Sequence, residues 1–453
     1  MCGVLLPLTA VGGPSADALQ QWIASHAVVV RSIDAADQDF SDLEPLLGAI
    51  GNARVVQLGE PSHGAGGSFA AKVRLIEFLH RRMGFDVVVW ESGLYSLRLT
   101  EAALRGGEDA ARAARRGIFP VWSATEEARP LFEYARMSQA TTRPLEMAGF
   151  DVQLTGEGAL ERLSADLKVF VSGLHATALR TRCERLVDEL LAQWDRRWPQ
   201  RPRDGEAFAT AADRLLAAIL EHRAAFEAAH GAREVAFMHR VVENFRDFGI
   251  CMHELLPNMD KNGAEAQALR NKSWNRRDAG NAQNLRWLID TYYAGRKLVV
   301  WAHNGHIMNA HYAADWMKLH EQPQPDGMQP MGAYLSEWFG DEVYSIGFTA
   351  FGGEDRMVTV DSAALAVPQP GDETLEHRLH ALGKPYVFLD LRNLDGQPQH
   401  ALRKPQTMYV RGYRSETVAD ITRIYDALFF IDRMAPAALI EPLADPQPGI
   451  RSR

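Results

Sequence analysis

Three stretches of this chain read as a short apolar strand that runs straight into acid or histidine. They are Arg54–His63 (RVVQLGEPSH), Val87–Ser92 (VVVWES) and Leu298–His306 (LVVWAHNGH). Apolar, β-branched runs without polar alternation suit strands covered on both faces, as in a parallel sheet between helices. Such sheets collect their chemistry just past the carboxyl ends of the strands. The pattern therefore predicts that Glu60, His63, Glu91, His303 and His306 converge on one crevice, although most of the chain separates the first from the last. That convergence points to an enzyme.

The remaining bulk properties exclude other classes. At 453 residues the chain is long enough for a large core and two lobes. A formal net charge of −9 argues against a nucleic-acid binder, which would present a basic face. The densest basic cluster, Arg112 to Arg116, reads as a solvated helix face. Three cysteines, Cys2, Cys183 and Cys251, show no paired spacing, so a reducing compartment is expected. No apolar run approaches membrane-spanning length, and the start lacks the basic flank of a signal peptide. A cytoplasmic protein, with neither nucleic acid nor membrane as partner, is the expectation.

Along the chain, residues 15–50 predict one or two helices before the first strand. Phe69, Val73, Ile76, Leu79 and Met83 recur at helical spacing, with Gly84 as C-cap, and Val87–Trp90 follows as in a βαβ unit. Residues 96–140 are helical in pattern, and Pro144–Asp151 reads as another strand. From 156 to 290 nearly everything is long amphipathic helix, interrupted at Trp194–Gly205. Strand patterns resume at Leu298–Trp301, Tyr344–Phe348, Tyr386–Leu389 and Ala427–Ile431. The predicted fold is α/β, a mostly parallel sheet flanked by helices with a large inserted all-helical lobe. The corresponding division is an N-terminal part of the α/β core over 1–155, the lobe over 156–290, the C-terminal part of the core over 291–433, and a tail over 434–453.

The turn Gly59–Gly64 sits where a nucleotide loop would, but it is not one. Phe69 stands where the third glycine of G-x-G-x-x-G belongs, and no Lys-Ser/Thr follows. G-x-S-x-G and H-E-x-x-H are absent as well, which disfavours the usual serine hydrolases and zincins. An acid and an imidazole three residues apart, Glu60 and His63, suit proton transfer or metal binding. One of His303 and His306 could instead cap the next helix, and Glu91 could serve a structural salt bridge with an arginine such as Arg277. Arg277 and Asp278 could form an ion pair at the crevice, and Asn284 could orient a substrate or a loop. His377 and His380 fit an exposed helix, His239 and His253 fall in the helical lobe, and His26 and His311 carry no partner signal.

Taken together, Gly59-Glu60-x-x-His63-Gly64, the Gly-Phe-x5-Glu pattern ending in Glu91, and Ala302-His303-Asn304-x-His306 resemble the erythromycin esterase family. Further matches are Gly149-Phe150-Asp151, Arg277-Asp278 with Asn284, Met331-Gly332 with Gly347-Phe348, and Tyr425-Asp426-Ala427-Leu428. The resemblance implies an ester hydrolase, with macrolide lactone opening as the named activity of some members. It also implies His63 as general base, surrounded by Glu60, Glu91, His303 and His306. Substrate-binding roles are expected for Arg277, Asp278, Asn284, Asp151 and Trp122. One departure is that Tyr134-Ala135-Arg136-Met137-Ser138 keeps only the arginine of a Trp-x-Arg-x-Tyr/His-Asn pattern common in the family.

The expected reaction is attack of a His63-activated water on an ester or lactone of small-molecule size, without a covalent intermediate. No cofactor is expected. The alternative is a divalent metal held by His63, Glu91, His303 and His306, which would supply the activated water. A carrier that binds a small ligand or metal in the same crevice is the non-enzymatic alternative. A monomer or homodimer is expected.

Overall fold

A computed structural model of the chain describes residues 16–195, 200–259, 261–310, 328–356, 363–394, 401–413 and 416–440. Cys2, His311 and most of the C-terminal tail lie outside these residues. The main sheet contains β1 (Val28–Val29), β2 (Val55–Leu58), β3 (Phe85–Gly93), β4 (Glu146–Asp151), β5 (Lys297–Trp301), β6 (Val343–Asp355), β7 (Tyr386–Asp390) and β8 (Ala427–Met434). Their spatial order is β1-β7-β8-β6-β2-β5-β3-β4. From β8 to β4 every neighbouring pair is parallel. β7 runs against both β1 and β8, so one edge of the sheet is antiparallel. Leu365–Ala366 adds a short antiparallel strand to the end of β6.

β2 lies inside the sheet between β6 and β5, and all four of its residues are buried. Its two neighbours, β5 and β6, come from near the other end of the chain, which makes the carboxyl end of β2 a point where the strand order switches. Ligand crevices form at such points. Register then levels the strand ends: Leu58 pairs with Trp301 and with Ile346, Trp301 pairs with Trp90, and Trp90 with Gly149. Residues just beyond these positions must share one rim.

The first crossover confirms the helical spacing read around Phe69–Met83. Gly66–Phe78 is α-helical and continues as a π-turn over Leu79–Met83, which Gly84 ends at φ 77°. That left-handed conformation is one that glycine adopts without steric cost. Gly64 meets a different constraint, because a Cβ there would lie 0.9 Å from the carbonyl oxygen of Arg356. The turn after β2 is thus pressed against the chain leaving β6.

Between β4 and β5 the chain forms the predicted helical insertion. Its helices are Ala159–Ser172, Thr177–Ala192, Gly205–Glu221, Arg223–His230, Ala232–Leu255 and Ala264–Trp287. The break at Trp194–Gly205 contains a two-residue ribbon pairing Trp194–Asp195 with Arg201–Pro202. Trp194 is buried there against Phe208, Phe245 and Phe248. The last helix carries a polar stripe, Arg277, Asp278, Asn281 and Asn284, spaced so that one face points at the sheet. Asn281 Oδ1 accepts from the Val152 amide at 2.9 Å, and Asn284 Nδ2 donates to the Phe150 carbonyl at 2.7 Å. No helix of the described residues is long and apolar enough to cross a membrane.

Under the rim lies an aromatic floor. Trp90 and Trp301 stack at 4.4 Å between centroids and 24° between planes, with Trp122, Phe132 and Phe69 around them. Both stacked indoles are fully buried. Trp90→Ala is expected to cost about 3–5 kcal/mol of stability through the cavity it leaves, read from the urea unfolding midpoint.

Candidate active site

Each sequence motif delivers its polar groups to the rim. Glu60 follows β2, Glu91 lies near the end of β3, Asp151 ends β4, and His303 and His306 follow β5. The backbone amide of Asn304 donates to the Glu60 carbonyl at 2.8 Å, tying the first motif to the last.

Glu60 is fully buried. Its Oε1 accepts from His63 Nδ1 and from Trp122 Nε1, each at 2.9 Å. Its Oε2 accepts from Lys72 Nζ at 2.6 Å. The Lys72 ammonium also donates to the Ala302 carbonyl at 3.2 Å and lies 4.4 Å from the Trp301 ring centroid. Burial lowers the Lys72 pKa to about 8, against the pull of Glu60. Lys72 was not among the sequence-derived candidates. Its helix is buried on nearly every side, and a lysine inside so apolar a segment was the available signal.

His63 has its side chain 40% exposed. Desolvation works against its charged form, but the hydrogen bond to Glu60 and the charges of Glu91 and Glu60 outweigh it and raise the pKa. With Nδ1–H given to Glu60, Nε2 is the basic nitrogen of the neutral ring. The His303 ring lies 5.3 Å from the His63 ring.

Glu91 does form the salt bridge considered for it, and more besides. Oε1 is 2.9 Å from Arg277 Nη2 and 3.1 Å from His306 Nε2, and Oε2 accepts from the His303 amide at 2.8 Å. Desolvation would raise its pKa, yet His306 and Arg277 hold the carboxyl well below the usual range. Arg277 also grips Asp151 through Nε at 3.1 Å and through Nη2. His306 Nδ1 is 2.5 Å from Asp278 Oδ1. Burial opposes the His306 imidazolium, but Asp278 and Glu91 raise its pKa to about 10. That favours the imidazolium near neutral pH, with Nδ1 against Asp278 and Nε2 between Glu91 and Arg277, so both nitrogens are engaged.

His303 differs. It does cap the short helix Asn304–Ile307, its Nδ1 accepting from the Gly305 amide at 2.9 Å. Burial and the nearby charges of His63 and Arg411 push its pKa well below the usual value. The ring is neutral, and because Nδ1 is an acceptor the proton resides on Nε2. One cap thus fixes a tautomer.

The structure brings together Glu60, His63, Glu91, Trp122, Asp151, Arg277, Asp278, His303 and His306. Asn284 stands apart, fully buried and bonded to Phe150, Asn244 and Arg240. It braces the lobe against β4 rather than facing the crevice. Tyr134 bonds to His80 and Arg81, and Arg136 to Glu133, so the stretch that departs from the family pattern has its contacts elsewhere. His380 pairs with Asp432 and stacks on Phe351, away from the rim. Cys183 and Cys251 are free and buried.

A metal fits this donor set poorly. Among the described residues no group of three or more His, Cys, Asp or Glu is placed to hold one. The carboxylates are each turned toward an ammonium, guanidinium or imidazolium, and Arg277 occupies the space between Glu91 and Asp151.

A family model described as erythromycin esterase matches residues 80–434, a span that holds Glu91, Asp151, Arg277, Asp278, His303 and His306 and begins after Glu60, His63 and Lys72. A Bacillus subtilis protein named putative hydrolase YbfO is 26% identical, covering 93% of this chain and 92% of its own length. Erythromycin esterase type II of Escherichia coli is 19% identical, covering 93% and 99%. A crystal structure of a succinoglycan biosynthesis protein has the same fold, with TM-score 0.73, 20% identity and coverage of 95% and 100%. A variant of the erythromycin esterase EreC in its open conformation superposes with TM-score 0.66 at 15% identity, covering 90% and 98%. With most of its length matched by the family model, the chain belongs to the erythromycin esterase family.

Proposed function

We propose that the protein hydrolyses an ester or lactone with a water activated by His63. The observation that carries this reading is the buried Glu60 carboxylate bonded at 2.9 Å to the part-exposed His63, whose ring lies beside the neutral His303 ring. Glu60 orients the imidazole and favours its charged form, as a carboxylate does behind a catalytic histidine. Lys72 offsets the charge of Glu60 from the far side.

In the proposed sequence, His63 Nε2 removes a proton as the water oxygen attacks the ester carbonyl carbon. His303 Nε2–H donates to the oxyanion that develops on the carbonyl oxygen. Collapse breaks the bond to the alcohol oxygen, which takes the proton back from His63. His306 has no free nitrogen for either task. It serves instead as a fixed cation that locks Glu91, which in turn holds the His303 backbone in place. The similarity to an erythromycin esterase supports including macrolide lactones among the substrates to be tested.

A mass-spectrometric screen for addition of one water across a panel of esters, lactones and macrolides tests the activity. His63→Ala is expected to lower kcat/KM by about 10²- to 10⁴-fold while leaving the fold intact. In the natural protein the rate should fall as pH drops through the raised pKa of His63, with the acid limb above pH 6.5 because the base form must be neutral. A rate that is flat across that range would remove His63 from the role. Exhaustive chelation should leave turnover unchanged.

Stability should carry the opposite mark from His306. Its folded pKa of about 10 exceeds the ordinary 6.5, so its contribution is complete below pH 6.5 and is lost as pH rises through 10. His306→Gln should consequently cost more stability at pH 6 than at pH 10, measured as the difference in urea midpoint from the natural protein.

A further inference from the structure

One large side chain at the rim has no part in the proposed chemistry. Trp274 precedes Arg277 and Asp278 by three and four residues on the helix Ala264–Trp287, so the three share one face. Its indole centroid lies 6.2 Å from that of His306, with 30° between planes, and the Arg277 guanidinium carbon is 5.7 Å from it. Trp274 is nevertheless 38% exposed, whereas Trp90, Trp122 and Trp301 are completely enclosed. The rings of His63, His303, His306 and Trp274 follow one another at 5.3, 6.5 and 6.2 Å. One end of this row is the general base, and the other is an open indole.

The charged groups between those ends are committed to one another. Glu91, Arg277, His306, Asp278 and Asp151 form a closed set of ion pairs. They leave little directed hydrogen bonding for the part of a substrate that extends beyond its ester. An indole at that distance offers a flat apolar surface instead, and rings gain from stacking on it.

We propose that Trp274 is a specificity-determining residue that stacks against a ring carried by the substrate next to its scissile ester. The preferred class is ring-bearing esters and lactones, and short acyclic esters bind weakly. This deepens the hydrolase reading and rests on it.

The test compares Trp274→Ala and Trp274→Phe with the natural protein, using 4-methylumbelliferyl acetate as ring-bearing ester and ethyl acetate as acyclic control. A fluorescence titration with 4-methylumbelliferone reads binding without chemistry. Trp274→Ala should raise KM for the umbelliferyl ester about tenfold at little-changed kcat, and weaken 4-methylumbelliferone to a similar degree. Trp274→Phe should recover most of both, and KM for ethyl acetate should shift less than twofold. Unchanged KM and binding in Trp274→Ala would overturn the proposal, as would an equal loss with ethyl acetate, which would mark a merely structural residue. If neither ester is hydrolysed by the natural protein, the wider panel of esters, lactones and macrolides decides the hydrolase reading. The 4-methylumbelliferone titration then still decides the stacking role.

Discussion

Carboxylates taken out of water must be met by cations and donors within hydrogen-bond reach, or they do not stay ionised. That requirement organises the whole rim of this sheet. Glu60 is satisfied by Lys72, His63 and Trp122, and Glu91 by Arg277, His306 and the His303 amide. Every one of those donors comes from a different stretch of chain than its acceptor or from the turn that follows it. Burial of the acids therefore dictates where the histidines sit, and the histidines inherit their protonation states from it. His306 is held as a cation up to about pH 10, His303 is kept neutral, and the pKa of His63 is raised.

Much of this is legible in the sequence. Continuous apolar runs such as VVVW and LVVW mark strands covered on both faces, and those strands are β3 and β5. The long amphipathic segment after Asp151 formed the helical insertion. What sequence could not show was neighbourhood. β2 pairs with β5 and β6, strands hundreds of residues downstream, because pairing answers to the packing of the finished sheet rather than to chain order. The two-residue β1 is too short to carry an apolar pattern, and the reversal of β7 escaped because an apolar run marks a strand but not its direction.

The site divides in the same way. Acids and histidines at the ends of apolar strands announce themselves, because nothing about core packing calls for them. Asn284 looked equivalent to Arg277 and Asp278 on the same helix, yet it lies one to two turns further on and meets the β4 backbone instead of the crevice. Periodicity assigns a residue to a face but not to a depth. Lys72 shows the converse. Helical spacing treats it as a surface break in an apolar helix, and only the position of Glu60 behind that helix reveals a buried counter-ion. Trp274 is similar, since a tryptophan in a helix ordinarily signals packing.

Arg277 joins the acids of two neighbouring strands to a helix of the inserted lobe, and through Glu91 it also steadies the turn after β5. The lobe and the sheet are consequently fastened at the very atoms that set the charge of His306 and the placement of His303. A tilt of that helix by even a fraction of its pitch would loosen the clasp and retune the imidazoles together. Mechanical displacement and acid–base balance are, in this architecture, a single variable.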